Sequence, residues 1–219
     1  MKGLSRPTKK NLNKISVLGS VKDYTLIGGT ALSLQINHRK SEDLDFCIWT
    51  KNLRKDKPTV DWPLIQREFE STGKITSRDV LGFDQVNFLF NGVRIKFITK
   101  QRNLSPVTRP VPILNNIFAA DIDAIGAMKI ELILRRSEFK DYYDIYSILK
   151  EGRSLKKLVS LASKYSNHLL KTRDALSFLS NGSNFRKDKT FALLEPVYDL
   201  DHKTIETYIK SVIREEFSP

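Results

Sequence analysis

Residues 24–49 read YTLIGGTALSLQINHRKSEDLDFCIW: an apolar run enters a Gly-Gly-Thr turn and is followed, after twelve intervening residues, by Asp43 and Asp45. The run YTLIG is short, apolar and ended by glycines, as expected of a buried strand. TALSLQINH then reads as a short helix and DLDFCIW, residues 43–49, as a second strand. Side chains alternate along a strand, so Asp43 and Asp45 share one face and Leu44 and Phe46 the other. Two acids set side by side in a strongly basic chain point to a bound cation.

A Gly-Gly-Thr turn at a helix start lets the backbone come close to a ligand and aims the helix's first N–H groups at an anion. Gly28, Gly29 and Thr30 therefore read as a phosphate cradle. Asp43 and Asp45 can hold Mg²⁺, a hard cation bound by oxygen and usually shared with substrate phosphates.

The chain has 219 residues, 40% of them hydrophobic, enough to bury a core in one large domain or in two small lobes that share it. The single Cys47 excludes an intramolecular disulfide, favours a reducing compartment and reads as a small core residue. No apolar run approaches membrane-spanning length, and the polar, basic MKGLSRPTKKNLNK start has no signal-like apolar segment, so a cytoplasmic protein with no membrane partner is expected. A net charge of +12 favours a polyanionic partner such as RNA. The histidines show no paired metal spacing and no Ser/His/Asp or Cys/His arrangement stands out, which argues against zinc chemistry and covalent hydrolysis.

Residues 1–20 read as a basic, partly helical lead-in, KNLRKDKP at 51–58 as a charged connection, and WPLIQREFESTG as an amphipathic helix closed by Gly73. QVNFLF, Asn91-Gly92 and VRIKFIT form a hairpin signal of the type I′ kind, with Arg94 and Lys96 on one strand face. The proline-bearing stretch NLSPVTRPVPI reads as an extended linker. From about Asn115 the character changes: NIFAADIDAIGAMKIELILRR, KDYYDIYSILKEG and SLKKLVSLASKYSNHLLKTRDALSFL favour helix, residues 181–184 a turn, and DHKTIETYIKSVIREEF a last helix with Asp201 as its N-cap. The expected organisation is α+β: a mixed sheet flanked by helices over 1–114 and a helical lobe over 115–219, which is expected to complete the active site and, through the basic Lys156, Lys157, Lys164, Lys171 and Arg173, to contact RNA.

In AIGAMKIELILRR, Lys129 stands in an apolar helix with little polar face, where a lysine needs a partner. A triphosphate or Asp144 would supply one. A break is expected near Ser137, before KDYYDIYSILK.

The order and spacing of Gly-Gly-Thr and D-x-D resemble the nucleotidyltransferase signature of the polymerase beta superfamily. Within it, GGTALSLQINHRKSEDLDF and KDYYDIYSILK resemble the AbiEii/AbiGii toxin nucleotidyltransferases, whose members typically carry G-H-R-x-S-x-D-L-D-F and K-D-x-x-D-I segments. Asn37 stands where Gly is usual. The resemblance is specific over roughly residues 24–50 and 119–150.

This likeness implies a polymerase beta-like lobe and Mg²⁺-dependent transfer from a nucleoside triphosphate to RNA, transfer RNA acceptor ends being the substrate of some relatives. It also implies a separate cognate antitoxin and a role in toxin–antitoxin or phage defence. Gly28, Gly29 and Thr30 would contact phosphates, Asp43 and Asp45 bind Mg²⁺, Lys129 be the motif lysine and Asp144 the motif aspartate. Asp141 and Lys140 rank second, and His38 and Arg39 either approach the phosphates or serve as a structural cap. Many relatives have Asp at Lys96, and no acid occurs here between Asp84 and Asp121. Lys96 would then pair with a triphosphate oxygen or with Asp43 or Asp45. The same site could serve transfer to a small molecule or protein, or, without the third acid, only nucleotide or RNA binding.

Overall fold

The computed structural model describes residues 1–50, 59–101 and 104–218, so the connection read at 51–58 lies outside the described residues. The chain forms two compact units, Met1–Asp121 and Ile122–Pro219. The division falls after Asp121 rather than after residue 114.

The first unit opens with helix α1 (Arg6–Ile15), capped by Ser5, and continues through strand β1 (Thr25–Ile27), helix α2 (Gly28–Ile36), strand β2 (Leu44–Thr50) and helix α3 (Trp62–Thr72). Strands β3 (Ile75–Gly82), β4 (Gln85–Phe90), β5 (Val93–Gln101), β6 (Val111–Leu114) and β7 (Ile117–Ala119) complete it. They make one mixed seven-stranded sheet in the order β3-β4-β5-β2-β1-β7-β6. β2 pairs antiparallel with β1 and parallel with β5. The strand bearing Asp45 is thus central, where its register is held from both sides.

The hairpin expected at Asn91-Gly92 is present: both residues have positive φ, 46° and 79°, and Phe90 pairs with Val93. Alternation then puts Phe46, Phe88 and Phe97 on one face of the sheet. There they pack with Phe69 of α3, with ring centroids 5.2 Å apart for Phe46–Phe97 and 5.6 Å for Phe69–Phe88. Gly73 ends α3 in extended rather than left-handed geometry, and glycine is needed there because Asn91 and Phe90 leave no room for a side chain.

Two expectations are corrected. VPIL, read as linker, is strand β6, and residues 117–119, read as helix, are strand β7. β7 lies parallel to β1, so this stretch extends the sheet and the helical unit begins only at Ile122.

The second unit comprises α4 (Ile122–Ile133), α5 (Phe139–Lys150), α6 (Leu155–Tyr165), α7 (Thr172–Leu179) and α8 (His202–Phe217). α4 and α5 are separate helices, in line with the expected break near Ser137. The run read as helix over 154–179 is interrupted at Asn167 and His168, which both have positive φ. Asp201 caps α8, accepting from the Thr204 N–H at 2.8 Å. α5 is buried from Asp141 to Leu149, and Tyr142 stacks on Phe185 with centroids 4.2 Å apart.

Candidate active site

β1 ends and α2 begins without a spacer. Ile27 is the N-cap in extended geometry and contributes no side-chain acceptor, so the N–H groups of Gly28, Gly29 and Thr30 open the helix uncapped by any side chain. Gly28 adopts φ +73°, which a residue with a Cβ resists. A Cβ there would also stand 3.0 Å from Asp45 Oδ2, so glycine allows the carboxylate to rest against the helix start. A Cβ on Gly29 would lie 2.5 Å from Arg39 Nη2. The helix N-terminus, already positive through its dipole, thus has a guanidinium packed onto it, an arrangement suited to an anion.

Arg39 is 4% exposed and donates from Nη1 to the Lys40 carbonyl at 2.9 Å; His38 is also buried. Thr30, expected to contact phosphate, is buried. Its hydroxyl donates to the Asp43 carbonyl and lies 2.8 Å from Ser41 Oγ. That side chain therefore ties α2 to the entry of β2, and only the Thr30 backbone N–H is directed at the helix mouth. Ser41 is a member of this network that sequence reading did not single out.

Asp43 is exposed just before β2 and Asp45 is half-buried within it, while Leu44 and Phe46 are fully buried, as alternation requires. Lys96 stands opposite Asp45 in the β2–β5 register, its ammonium 3.5 Å from Asp45 Oδ1. Asn87 stands opposite Lys96 on β4, so Asp45, Lys96 and Asn87 form one polar row across three strands. Asn87 Oδ1 is buried with no hydrogen-bond partner. Sequence reading passed over Asn87, although the Asn91-Gly92 turn fixes its pairing with Lys96.

The residues present fit a hard divalent cation: the Asp45 carboxylate beside the helix start and the exposed Asp43 two residues before it supply oxygen donors of the kind Mg²⁺ takes together with substrate phosphates. Among the described residues no three His, Cys, Asp or Glu side chains cluster as a metal site, so an all-protein cage is not built here. Cys47, on the same strand, is buried and its thiol is pushed up to about 12 by desolvation, which removes it as a nucleophile.

The second unit holds a separate ionic cluster. Lys129 is 5% exposed, with Nζ 2.5 Å from Asp141 Oδ1 and 2.6 Å from Asp144 Oδ2, and both carboxylates are fully buried. Arg136 adds a bond from Nε to Asp141 Oδ2 at 2.8 Å. Burial alone would raise the Asp141 carboxyl, but Lys129 and Arg136 outweigh burial and the nearby Asp144, and hold it below the ordinary carboxylate value. Asp141, ranked second from sequence, is thus as engaged as Asp144. Lys140 is outside the cluster, paired with Glu138 at 2.8 Å. Lys156, Lys157, Lys164, Lys171 and Arg173 are exposed on this unit, with Lys157 bonded to Asp123 at 2.5 Å.

Comparison with known proteins follows the same lines. The profile described as "Nucleotidyl transferase AbiEii toxin, Type IV TA system" matches residues 12–211. An uncharacterized protein of Aquifex aeolicus (strain VF5) is 31% identical over 169 residues, covering 75% of this chain and 76% of its own. MenT4, a nucleotidyltransferase toxin from Mycobacterium tuberculosis H37Rv, is similar in fold at TM-score 0.57 and 16% identity over 94% of this chain and 79% of that one. JHP933 from Helicobacter pylori gives 0.55 and 19% over 97% and 94%. No helix among the described residues is long and apolar enough to cross a membrane.

Proposed function

The chain belongs to the AbiEii family of nucleotidyltransferase toxins, and from that premise we propose that it transfers a nucleotide from a nucleoside triphosphate to an RNA 3′ end, in the first instance a transfer RNA acceptor end, with Mg²⁺. The observation that carries this reading is the seating of the Asp45 carboxylate against the uncapped start of α2, with Arg39 packed on Gly29 beside it.

The helix-start N–H groups and Arg39 bind and orient the triphosphate. Asp43 and Asp45 hold Mg²⁺, which when bound offsets charge on the phosphates. The RNA 3′-hydroxyl oxygen bonds to the α-phosphorus as the bond to the departing pyrophosphate breaks, so the protein's part is positioning and neutralisation. Thr30 acts through its bond to the Asp43 carbonyl, and Lys96 pairs with Asp45 or with a phosphate oxygen of the incoming nucleotide. Lys129, expected as the motif lysine with a triphosphate or Asp144 as its partner, is already neutralised by Asp141 and Asp144; its assigned role, like that of Asp144, is to hold α4 to α5. The toxin acts in the cytoplasm and is restrained by a separate antitoxin.

Lys96 in place of the third carboxylate favours one rival, a nucleotide-binding module without catalysis. Incubation with labelled nucleoside triphosphates, Mg²⁺ and total RNA separates the readings. Label entering RNA supports transfer to RNA, label on protein or a small molecule moves the acceptor, and label that stays free supports the binding module.

A further inference from the structure

The sequence has no acid before Asp23, while Lys2, Arg6, Lys9, Lys10, Lys14 and Lys22 precede it. α1 carries four of these cations, and its buried side is made by Thr8, Asn11, Leu12 and Ile15. Arg6, Lys10 and Lys14 recur every fourth residue, so they rise along one helix stripe in steps of about 6 Å. That stripe walls a groove of about 410 Å³ completed by Pro7, Asn11 and Asn91.

The floor of the groove is held in place. Asn91 Nδ2 donates to Asn11 Oδ1 at 2.9 Å, Asn11 Nδ2 donates to the Phe90 carbonyl at 3.4 Å, and Asn91 Oδ1 accepts from the Lys74 N–H at 2.9 Å. Lys14 is anchored on the Thr72 carbonyl at 2.8 Å, whereas Arg6 and Lys10 are exposed. Among the described residues, no carboxylate lines the groove. It is a cationic channel with an amide floor, formed entirely within the first unit.

We infer that this groove binds the phosphodiester backbone of single-stranded RNA, with Arg6 and Lys10 on successive phosphates and Lys14 as a fixed third charge. The inference rests on the RNA reading of the proposed function and adds a contact surface on the sheet-bearing unit, whereas the sequence suggested only the helical one. Regularly spaced like charges over rigid amides suit a polyanion of regular repeat better than an acidic polypeptide, whose carboxylates sit on flexible side chains. Backbone contacts of this kind position a strand without reading its sequence.

The test is fluorescence anisotropy of a fluorescein-labelled, mixed-sequence single-stranded oligoribonucleotide, titrated with the full chain at several potassium chloride concentrations. The variants are Arg6→Gln/Lys10→Gln and, as a control with the same charge change outside the groove, Lys2→Gln/Lys9→Gln. All four side chains are exposed, so both variants should melt as the wild type does. With about 0.7 in log–log slope per phosphate contact, the groove variant should lose about 1.4 of the slope and the control should keep it. Equal loss in both variants, or none in the groove variant, overturns the groove while wild-type RNA binding and label transfer to RNA leave the proposed function standing. Displacement of the RNA by polyglutamate at matched charge concentration overturns the choice of RNA over an acidic polypeptide. A wild type that binds no oligoribonucleotide overturns the RNA reading and the groove with it.

Discussion

Lys96 and Asp45 are register partners on parallel neighbouring strands, ammonium and carboxylate 3.5 Å apart and each about one-third exposed. The pair is worth no more than about 1 kcal/mol at that exposure, weak enough for a divalent cation or a phosphate to displace. On the proposed function, Lys96 serves as a resting counter-ion to Asp45 and turns to the incoming phosphate. Lys96→Ala should raise the nucleotide KM several-fold with a smaller change in kcat, the pattern of a lost ground-state contact. Lys96→Asp should tighten Mg²⁺ binding in calorimetry. Unchanged KM and unchanged Mg²⁺ affinity in both variants would place Lys96 outside the site.

Asp43→Ala and Asp45→Ala should each lower nucleotide transfer on the order of a thousandfold, the equivalent of a few kcal/mol of charge stabilisation. Neither carboxylate is buried in the core, so the melting temperature should stay within a few degrees of wild type. Near-wild-type transfer by either variant would remove the metal assignment.

Gly29→Ala separates the cradle from the carboxylates. The added methyl would meet Arg39 Nη2, displacing the guanidinium from the helix start while leaving Asp43 and Asp45 in place. Nucleotide affinity should fall by about tenfold, in line with a charged hydrogen bond of about 1.5 kcal/mol, with Mg²⁺ affinity unchanged in the absence of nucleotide. A normal nucleotide KM would show that Arg39 serves only the fold.

The strand–helix–strand core was legible because its signals are local: glycine at a positive φ, period two in DLDFCIW and an Asn-Gly turn. β3 was missed because ITSRDVLG is an exposed edge strand without an apolar alternation to betray it. β7 was missed because IFA is too short to carry a period and gains its identity from pairing with β1. Thr30 shows the same limit within the site: its type and position fitted a phosphate contact, and only the fold reveals that its hydroxyl is taken by the Asp43 carbonyl. That Lys129 needs a partner was readable because so apolar a helix gives a lysine little polar face, but the choice between a triphosphate and Asp144 was not, and the engagement of Asp141 involves Arg136 reaching across the break between α4 and α5.

The buried cluster of the second unit sets a stability prediction with a pH sign. Asp141 is held below its ordinary value of 3.8, so its ionised form stabilises the fold above the unfolded value. That stability is lost as pH falls through the lower folded value. Lys129→Met leaves Asp141 and Asp144 buried together with only Arg136 among the cluster's cations to offset them, which should cost about 3–5 kcal/mol. Acid unfolding followed by circular dichroism should then begin at higher pH than in wild type, since the loss of Lys129 removes a charge that holds the Asp141 carboxyl below its ordinary value. Asp144→Asn keeps the shape and leaves Lys129 bonded to Asp141, so its cost should be smaller, about 1–3 kcal/mol. If Lys129→Met instead melts as wild type while nucleotide transfer is lost, the lysine serves the reaction directly and its assignment to the packing of α4 on α5 is wrong.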